Sequence, residues 1–254
     1  MKHKFTVIIL AGEREGEPNL IAQIENVSSK AFVEIGGRPM IQSVISALNQ
    51  SGNVNDIIVS INHPLPEEYQ VKSVSCESSP TRSLLKILEH LETDRMLLIT
   101  TADHALLSTE IIHKFVEQYD HKHHDCAVAM LPLDVLDSKY PAKRRTRLQF
   151  KDNTYKSCNL FLFKNKDSAK QLIKFWQKVE SHRKKPLKMA QLIGFTFLLR
   201  YLSGRLTLKN ALKYLGKKTK TSPQSIILNI PEAALDVDTV QDLEFIRSIA
   251  KSKS

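Results

Sequence analysis

Thr6-Val7-Ile8-Ile9-Leu10-Ala11-Gly12 is an apolar run, rich in β-branched side chains, that stops at a glycine. With so little polar alternation it reads as a strand buried within a sheet. Runs of the same kind stand at residues 57–61 and 96–100. Between them Met40, Ile41, Val44, Ile45 and Leu48 recur at helical spacing, as do Leu84, Leu85, Ile87, Leu88 and Leu91, with Pro80 and Thr81 where that second helix would start. Strands alternating with helices predict an α/β fold: a mostly parallel, Rossmann-like sheet flanked by helices.

Downstream, Ser108 is placed to cap a helix that runs to Tyr119, and residues 126–131 read as a further strand. The loop His121-Lys122-His123-His124-Asp125 reads as solvated, because the adjacent histidines and Asp125 lack the register of a metal site. Residues 147–150 and 159–163 predict two strands around the turn residues Asp152 and Asn153. Residues from 168 to about 216 turn helical, 226–230 give a last strand, and 240–249 a closing helix. One domain is expected over 1–254, carrying a basic and apolar helical insertion at about 166–220.

Composition narrows the function classes. The net charge of +10 predicts attraction to anions, and the positive residues crowd the C-terminal third, at Arg205, Lys209, Lys213, Lys217, Lys218 and Lys220. A solvated helix face accounts for such a run equally well. One Trp, few aromatics among the cations and no recognisable binding motif argue against nucleic acid. No apolar run is long enough to span a bilayer, and Cys76, Cys126 and Cys158 follow neither a disulfide nor a metal pattern. A cytoplasmic protein is expected, with peripheral contact to the inner face of a membrane as the alternative.

Chemistry concentrates at strand ends. Gly12, with Arg14 and Gly16 after it, lets backbone N–H groups approach a phosphate while an arginine clamps it, although a strand running into a glycine turn also has an ordinary structural reading. The strand at 96–100 leads to Ala102-Asp103-His104, where Asp103 stands at a carboxyl end suited to an Mg²⁺ ligand or, alternatively, caps a turn.

The order Leu10-Ala11-Gly12-x-Arg14, then Lys30-Ala31 with Gly36-Gly37-Arg38-Pro39-Met40-Ile41, then Thr101-Ala102-Asp103-His104-Ala105-Leu106-Leu107, then Asp236-Val237-Asp238-Thr239 with Asp242-Leu243, resembles the MobA-like NTP transferases. The resemblance implies a GT-A-like fold and transfer of a nucleoside monophosphate from an NTP, CTP or GTP, to a phosphorylated small-molecule acceptor, with pyrophosphate released and Mg²⁺ or Mn²⁺ required. Residues Leu10, Ala11, Gly12 and Arg14 would bind the nucleotide. Lys30 would act on the phosphates, so Lys30, Arg14 and Asp103 form the implied catalytic set. Asp103 and Asp238 would be the metal ligands, with Asp236 in reserve, and Asp242 would favour the start of the closing helix. The base would be read at Ser79, Thr81 and Ser83. Lys156 and Asn159 are expected at the acceptor, or serve as ordinary strand residues.

Departures from the family pattern are the carboxylates Glu13 and Glu15 in the phosphate turn and Ala31 in place of a common proline. They keep open a nucleotide-binding protein without turnover. A nucleotide-sugar glycosyltransferase of related fold is a second alternative, disfavoured because Asp103 stands without the usual Asp-x-Asp partner. Residues 187–202 are apolar on nearly all sides. Packing in the core, or a lid over an apolar acceptor, is expected there ahead of contact with anionic lipid through 187–220.

Overall fold

The computed structural model describes residues 4–13, 19–93, 95–141, 146–182 and 185–252. In chain order the elements are β1 (Phe5–Leu10), α1 (Leu20–Ile24), β2 (Glu34–Ile35), β3 (Arg38–Pro39), α2 (Met40–Gln50), β4 (Val54–Ser60), β5 (Lys72–Val74), α3 (Pro80–His90), β6 (Met96–Thr101), α4 (Thr109–Glu117), β7 (Cys126–Pro132), α5 (Leu133–Lys139), β8 (Leu148–Gln149) and β9 (Thr154–Phe163). They continue with α6 (Lys166–His182), α7 (Pro186–Ile193), α8 (Phe195–Leu202), α9 (Leu208–Thr219), β10 (Pro223–Ile227) and α10 (Val240–Ser252).

The main sheet has the order β10-β7-β9-β6-β1-β4-β5, with β8 paired to β9. β1 lies at its heart, parallel to both β4 and β6. Its side chains show why the strand is apolar throughout. Val7 and Ile9 point into a large core shared with α2, α4 and α10, whereas Ile8 points to the other face, where it meets Leu84 and Leu88 of α3 and Leu97 and Ile99 of β6. A strand covered on both faces has no position to give to water.

β9 runs antiparallel between β6 and β7. That reversal carries the early part of β9 toward the carboxyl ends of its neighbours, where ligands bind in α/β sheets. β9 begins earlier than sequence periodicity predicts, at Thr154, because its alternating polar residues pair with β7 and β8 rather than marking a loop. The small hairpin of β2 and β3 turns on Gly36 and Gly37, with φ of +61° and +76°. Two successive left-handed residues are what a two-residue turn of this hand requires, and glycine supplies them without Cβ strain.

The helical stretch expected from 168 to about 216 is divided. Gly194 adopts φ +104° between α7 and α8, and its Cα faces the Tyr214 hydroxyl so closely that an added Cβ would sit 2.0 Å away. Residues 187–202 do not form a core helix: no residue of α8 is buried. Among the described residues no helix is long and apolar enough to cross a membrane. The histidine loop carries a pair between His123 Nδ1 and Asp120 Oδ2 at 2.7 Å, and no group of three or more metal-ligating side chains occurs among the described residues.

Since Ile8 fills space between helix and sheet on that face, Ile8→Ala should cost about 2–5 kcal/mol of unfolding free energy in urea titration. A loss below that range would mean that this face of the sheet is not the packed layer described.

Candidate active site

Three segments far apart in sequence meet at one ammonium group. Lys30 follows Ser29, a fully buried N-cap whose hydroxyl accepts from Ala31 N, so the short 3₁₀ turn at Lys30–Phe32 is fixed at its start. Lys30 Nζ donates to Asp103 Oδ2 at 2.6 Å and to the carbonyl of Val237 at 2.9 Å. Asp103 lies just beyond β6, and its own carbonyl accepts from Val237 N at 3.2 Å. The ammonium therefore binds the segment between α1 and β2, the end of β6 and the segment before α10 to one another.

Glu13, one of the two carboxylates that depart from the family pattern, also has a structural task, since its carboxylate accepts from the backbone N of Lys30 at 2.6 Å. Arg14 and Glu15 lie outside the described residues. Gly12 packs against Cys76, whose sulfur would lie 2.7 Å from a Cβ built there. Glycine is needed at that position for close approach, not for an unusual φ.

The cleft above this junction has a volume of about 490 Å³. Leu10, Gly12, Lys30, Ser79, Ser83 and Asp238 all line it, together with Glu13, Ser60, Glu77 and Glu180. Ala11 is buried beneath, its N–H bonded to Ser60 O at 2.9 Å. Of the three hydroxyl residues expected to read a base, Ser79 caps α3, Ser83 Oγ accepts from Glu77 N at 2.8 Å, and Thr81 donates to Glu180 Oε2 at 2.5 Å. These hydroxyls build the rim, and what they build presents Glu77 and Glu180. Sequence reading missed both carboxylates. Glu180 sits on α6, 99 residues from Thr81, and nothing local marks it.

Asp238 stands at the cleft while Asp236, two residues earlier, reaches the other way. Asp236 takes Lys156 Nζ at 2.5 Å and Asn159 Nδ2 at 3.2 Å, so Lys156 and Asn159 converge on it from β9. Asn159 itself is left-handed, with φ +46°. Thr239 and Asp242 cap α10 reciprocally: Asp242 Oδ2 accepts from Thr239 N at 2.8 Å and Asp242 N donates to Thr239 Oγ1 at 3.2 Å. The same carboxylate holds Asp238 N at 3.2 Å, which fixes the backbone carrying Asp238.

The electrostatics are those of crowded carboxylates. Desolvation, then the negative charges of Asp236 and Asp103, hold the Asp238 carboxyl above the usual range, with Lys30 and Lys156 pulling it back. Asp103 Oδ1 is buried and has no hydrogen-bond partner. An uncommitted carboxylate oxygen, with a second carboxylate destabilised by burial and by like charge, is a donor set that suits a hard divalent cation such as Mg²⁺. Next to it His104 is fully enclosed, and burial pushes its imidazole down to about 4 against the opposing pull of Asp103 and Asp236.

A family model described as MobA-like NTP transferase domain matches residues 7–141. No curated protein matches the chain. Among solved structures, a hypothetical transferase from Thermus thermophilus is similar at 25% identity and TM-score 0.81, covering 94% of this chain and 99% of its own. A 4-diphosphocytidyl-2C-methyl-D-erythritol synthase from Anaerococcus prevotii has 12% identity and TM-score 0.59, over 99% and 100% of the two chains. A CMP:2-keto-3-deoxy-manno-octonic acid synthetase complexed with CTP has 14% identity and TM-score 0.58, over the whole of both. At those last identities the likeness is one of fold.

His104 generates an acid-stability prediction. Above its ordinary value of 6.5 the imidazole is neutral whether the chain is folded or not; from there down to about 4 only the unfolded chain takes the proton. Stability should therefore fall as pH drops through that window, and the fall should be shallower in His104→Asn. Denaturant titrations at several pH values check this, and equal slopes would contradict it.

Proposed function

Since the chain belongs to the MobA-like NTP transferase family and is therefore a nucleotidyltransferase, we propose that it moves the nucleoside monophosphate of an NTP onto a phosphate-bearing acceptor. An acceptor phosphate oxygen bonds to the α-phosphorus as the bond from that phosphorus to the bridging oxygen breaks, and pyrophosphate leaves.

The observation that carries this reading is the setting of Lys30. An ammonium has three N–H donors, and two are used, by Asp103 and Val237, so the third can meet a phosphate oxygen at the cleft without giving up the bonds that orient it. A fixed positive charge there stabilises the oxygens that gain charge as the α-phosphate is displaced. Leu10 and Gly12 border the same space, and Ser79 and Ser83 shape its rim, consistent with their proposed nucleotide contacts.

Charge balance supports a metal requirement. Glu13, Glu180 and Asp238 face the cleft against Lys30 among its described lining, the fourth carboxylate there, Glu77, being paired with Lys86 at 2.5 Å, and this excess of negative charge disfavours a bare triphosphate. Asp103 and Asp238 are the residues that would hold Mg²⁺ there. When bound, the ion would supply neutralising charge on phosphate oxygens. Lys156 and Asn159, both drawn to Asp236, are proposed to serve the acceptor on the far side of that carboxylate.

For the base, the rim offers acceptors. Carboxylates accept and do not donate when ionised, so Glu180 and the second oxygen of Glu77, whose Oε1 is paired with Lys86, suit a base edge with an exocyclic amino group, as in cytosine, guanine or adenine, better than uracil. The family resemblance makes CTP and GTP the proposed donors, and the two cytidylyl-type structural relatives make CTP the first to test.

Two measurements test the proposal. In pyrophosphate-release assays across the four NTPs with phosphorylated acceptors, CTP or GTP should give turnover and UTP the least; no release with any pair would remove the reading. With the active pair, Lys30→Ala should lower kcat by about 10²–10³. Asp103→Asn and Asp238→Asn should each abolish most turnover and weaken Mg²⁺-dependent NTP binding in calorimetry, whereas Asp236→Asn should spare the metal dependence. Unchanged metal dependence in both main variants would overturn the assignment.

A further inference from the structure

Outside the cleft, the outer face of α8 carries a row of exposed apolar side chains. Phe195, Leu199 and Leu202 are 70%, 59% and 74% exposed, and their spacing of four and three residues sets them on one stripe. The helix is not simply loose, because its other side is already partnered: Phe197 packs on Tyr214 of α9 with ring centroids 4.8 Å apart, and Tyr201 meets Phe150 edge-on at 5.9 Å. Leu187 on α7 is 81% exposed and Trp176 on the adjoining α6 is 58% exposed. Single exposed leucines need no explanation, but a row of them on a helix whose inner side is docked does.

Charge says what covers it. Residues 187–220 hold Lys188, Arg200, Arg205, Lys209, Lys213, Lys217, Lys218 and Lys220 and no acidic residue. On α9, Lys209, Lys213 and Lys217 are exposed and recur every four residues, forming a cationic row on the helix that α8 packs upon. A second copy of the chain would bring like charge against like charge. A surface that is both anionic and able to take up short apolar side chains complements the patch, and a bilayer with acidic headgroups has both properties.

We propose that α8, with the cations of α7 and α9 around it, docks the protein on an anionic lipid bilayer, Phe195, Leu199 and Leu202 entering the interface. This stands apart from the nucleotidyl transfer reading, since none of these residues lines the cleft. The geometry replaces the expectation that residues 187–202 are consumed by packing.

Flotation of the intact protein with vesicles of phosphatidylcholine alone, and of phosphatidylcholine mixed with phosphatidylglycerol, tests it. Recovery is expected with the mixed vesicles only and should fall as salt rises. Phe195→Ser, Leu199→Ser and Leu202→Ser combined should remove it while leaving the melting temperature unchanged. Lys209→Gln and Lys213→Gln should each lower the partition coefficient about fivefold. If the triple variant melts early, Leu199→Ser alone should still lower recovery. No recovery with mixed vesicles, recovery undiminished by the apolar substitutions, or a dimer in sedimentation equilibrium that the triple variant converts to monomer would each overturn the proposal.

Discussion

One ammonium group governs how this cleft is assembled. Lys30 binds Asp103 and the Val237 carbonyl, and the latter lies 207 residues downstream. Each of the joined segments belongs to a different part of the fold: the connection between α1 and β2, the end of β6, and the approach to α10. Withdrawing the charge would leave Asp103, partly buried near Asp238 and Asp236, without its own counter-ion, which costs more than the lost hydrogen bond alone. Supporting contacts point the same way. Glu13 holds the backbone of Lys30, Asp242 holds that of Asp238, and Arg247 grips Glu25 through two nitrogens while also bonding the Glu34 carbonyl, so α10 is tied to the segments on either side of Lys30.

The charge of the chain and the charge of its cleft have opposite signs. A net +10 leads one to expect a cationic nucleotide site, yet the described lining carries four carboxylates and one lysine. Many of the surplus cations sit on the helices between β9 and β10. Whole-chain charge thus describes the surface that meets large partners, while the cleft has its own local balance of charge.

What was legible in sequence was local. The apolar run into Gly12, the helical spacing from Met40 to Leu48 and the Ser108 cap each depend on neighbours a few residues away, and each is found where periodicity puts it. The ordered motifs brought Lys30, Asp103 and Asp238 together through the family resemblance, and only Asp103 of the three stands at a strand end. What escaped depends on distant partners: Glu180 reaching Thr81, Cys76 lying against Gly12, and Asp236 turning from the cleft to Lys156. Residues 187–202 misled for another reason. Hydrophobicity on all sides of a short segment usually means burial, but here Phe197 and Tyr201 suffice to anchor α8, and the remaining apolar side chains exceed what the core can accept.

The position of β10 bears on biosynthesis. β7 is paired on one side to β9, but its other edge is closed only by β10, and Ser222, which begins that closure by donating to Asp125, emerges 97 residues later. At the usual pace of translation this leaves a strand edge open for about 5–20 s. An open edge beside an apolar strand is a template for pairing with another nascent chain. The segment from 187 to 220, rich in lysine and arginine and free of acid, is made only in the last third of that interval, so like charge between neighbouring chains can act on the open edge only shortly before β10 closes it.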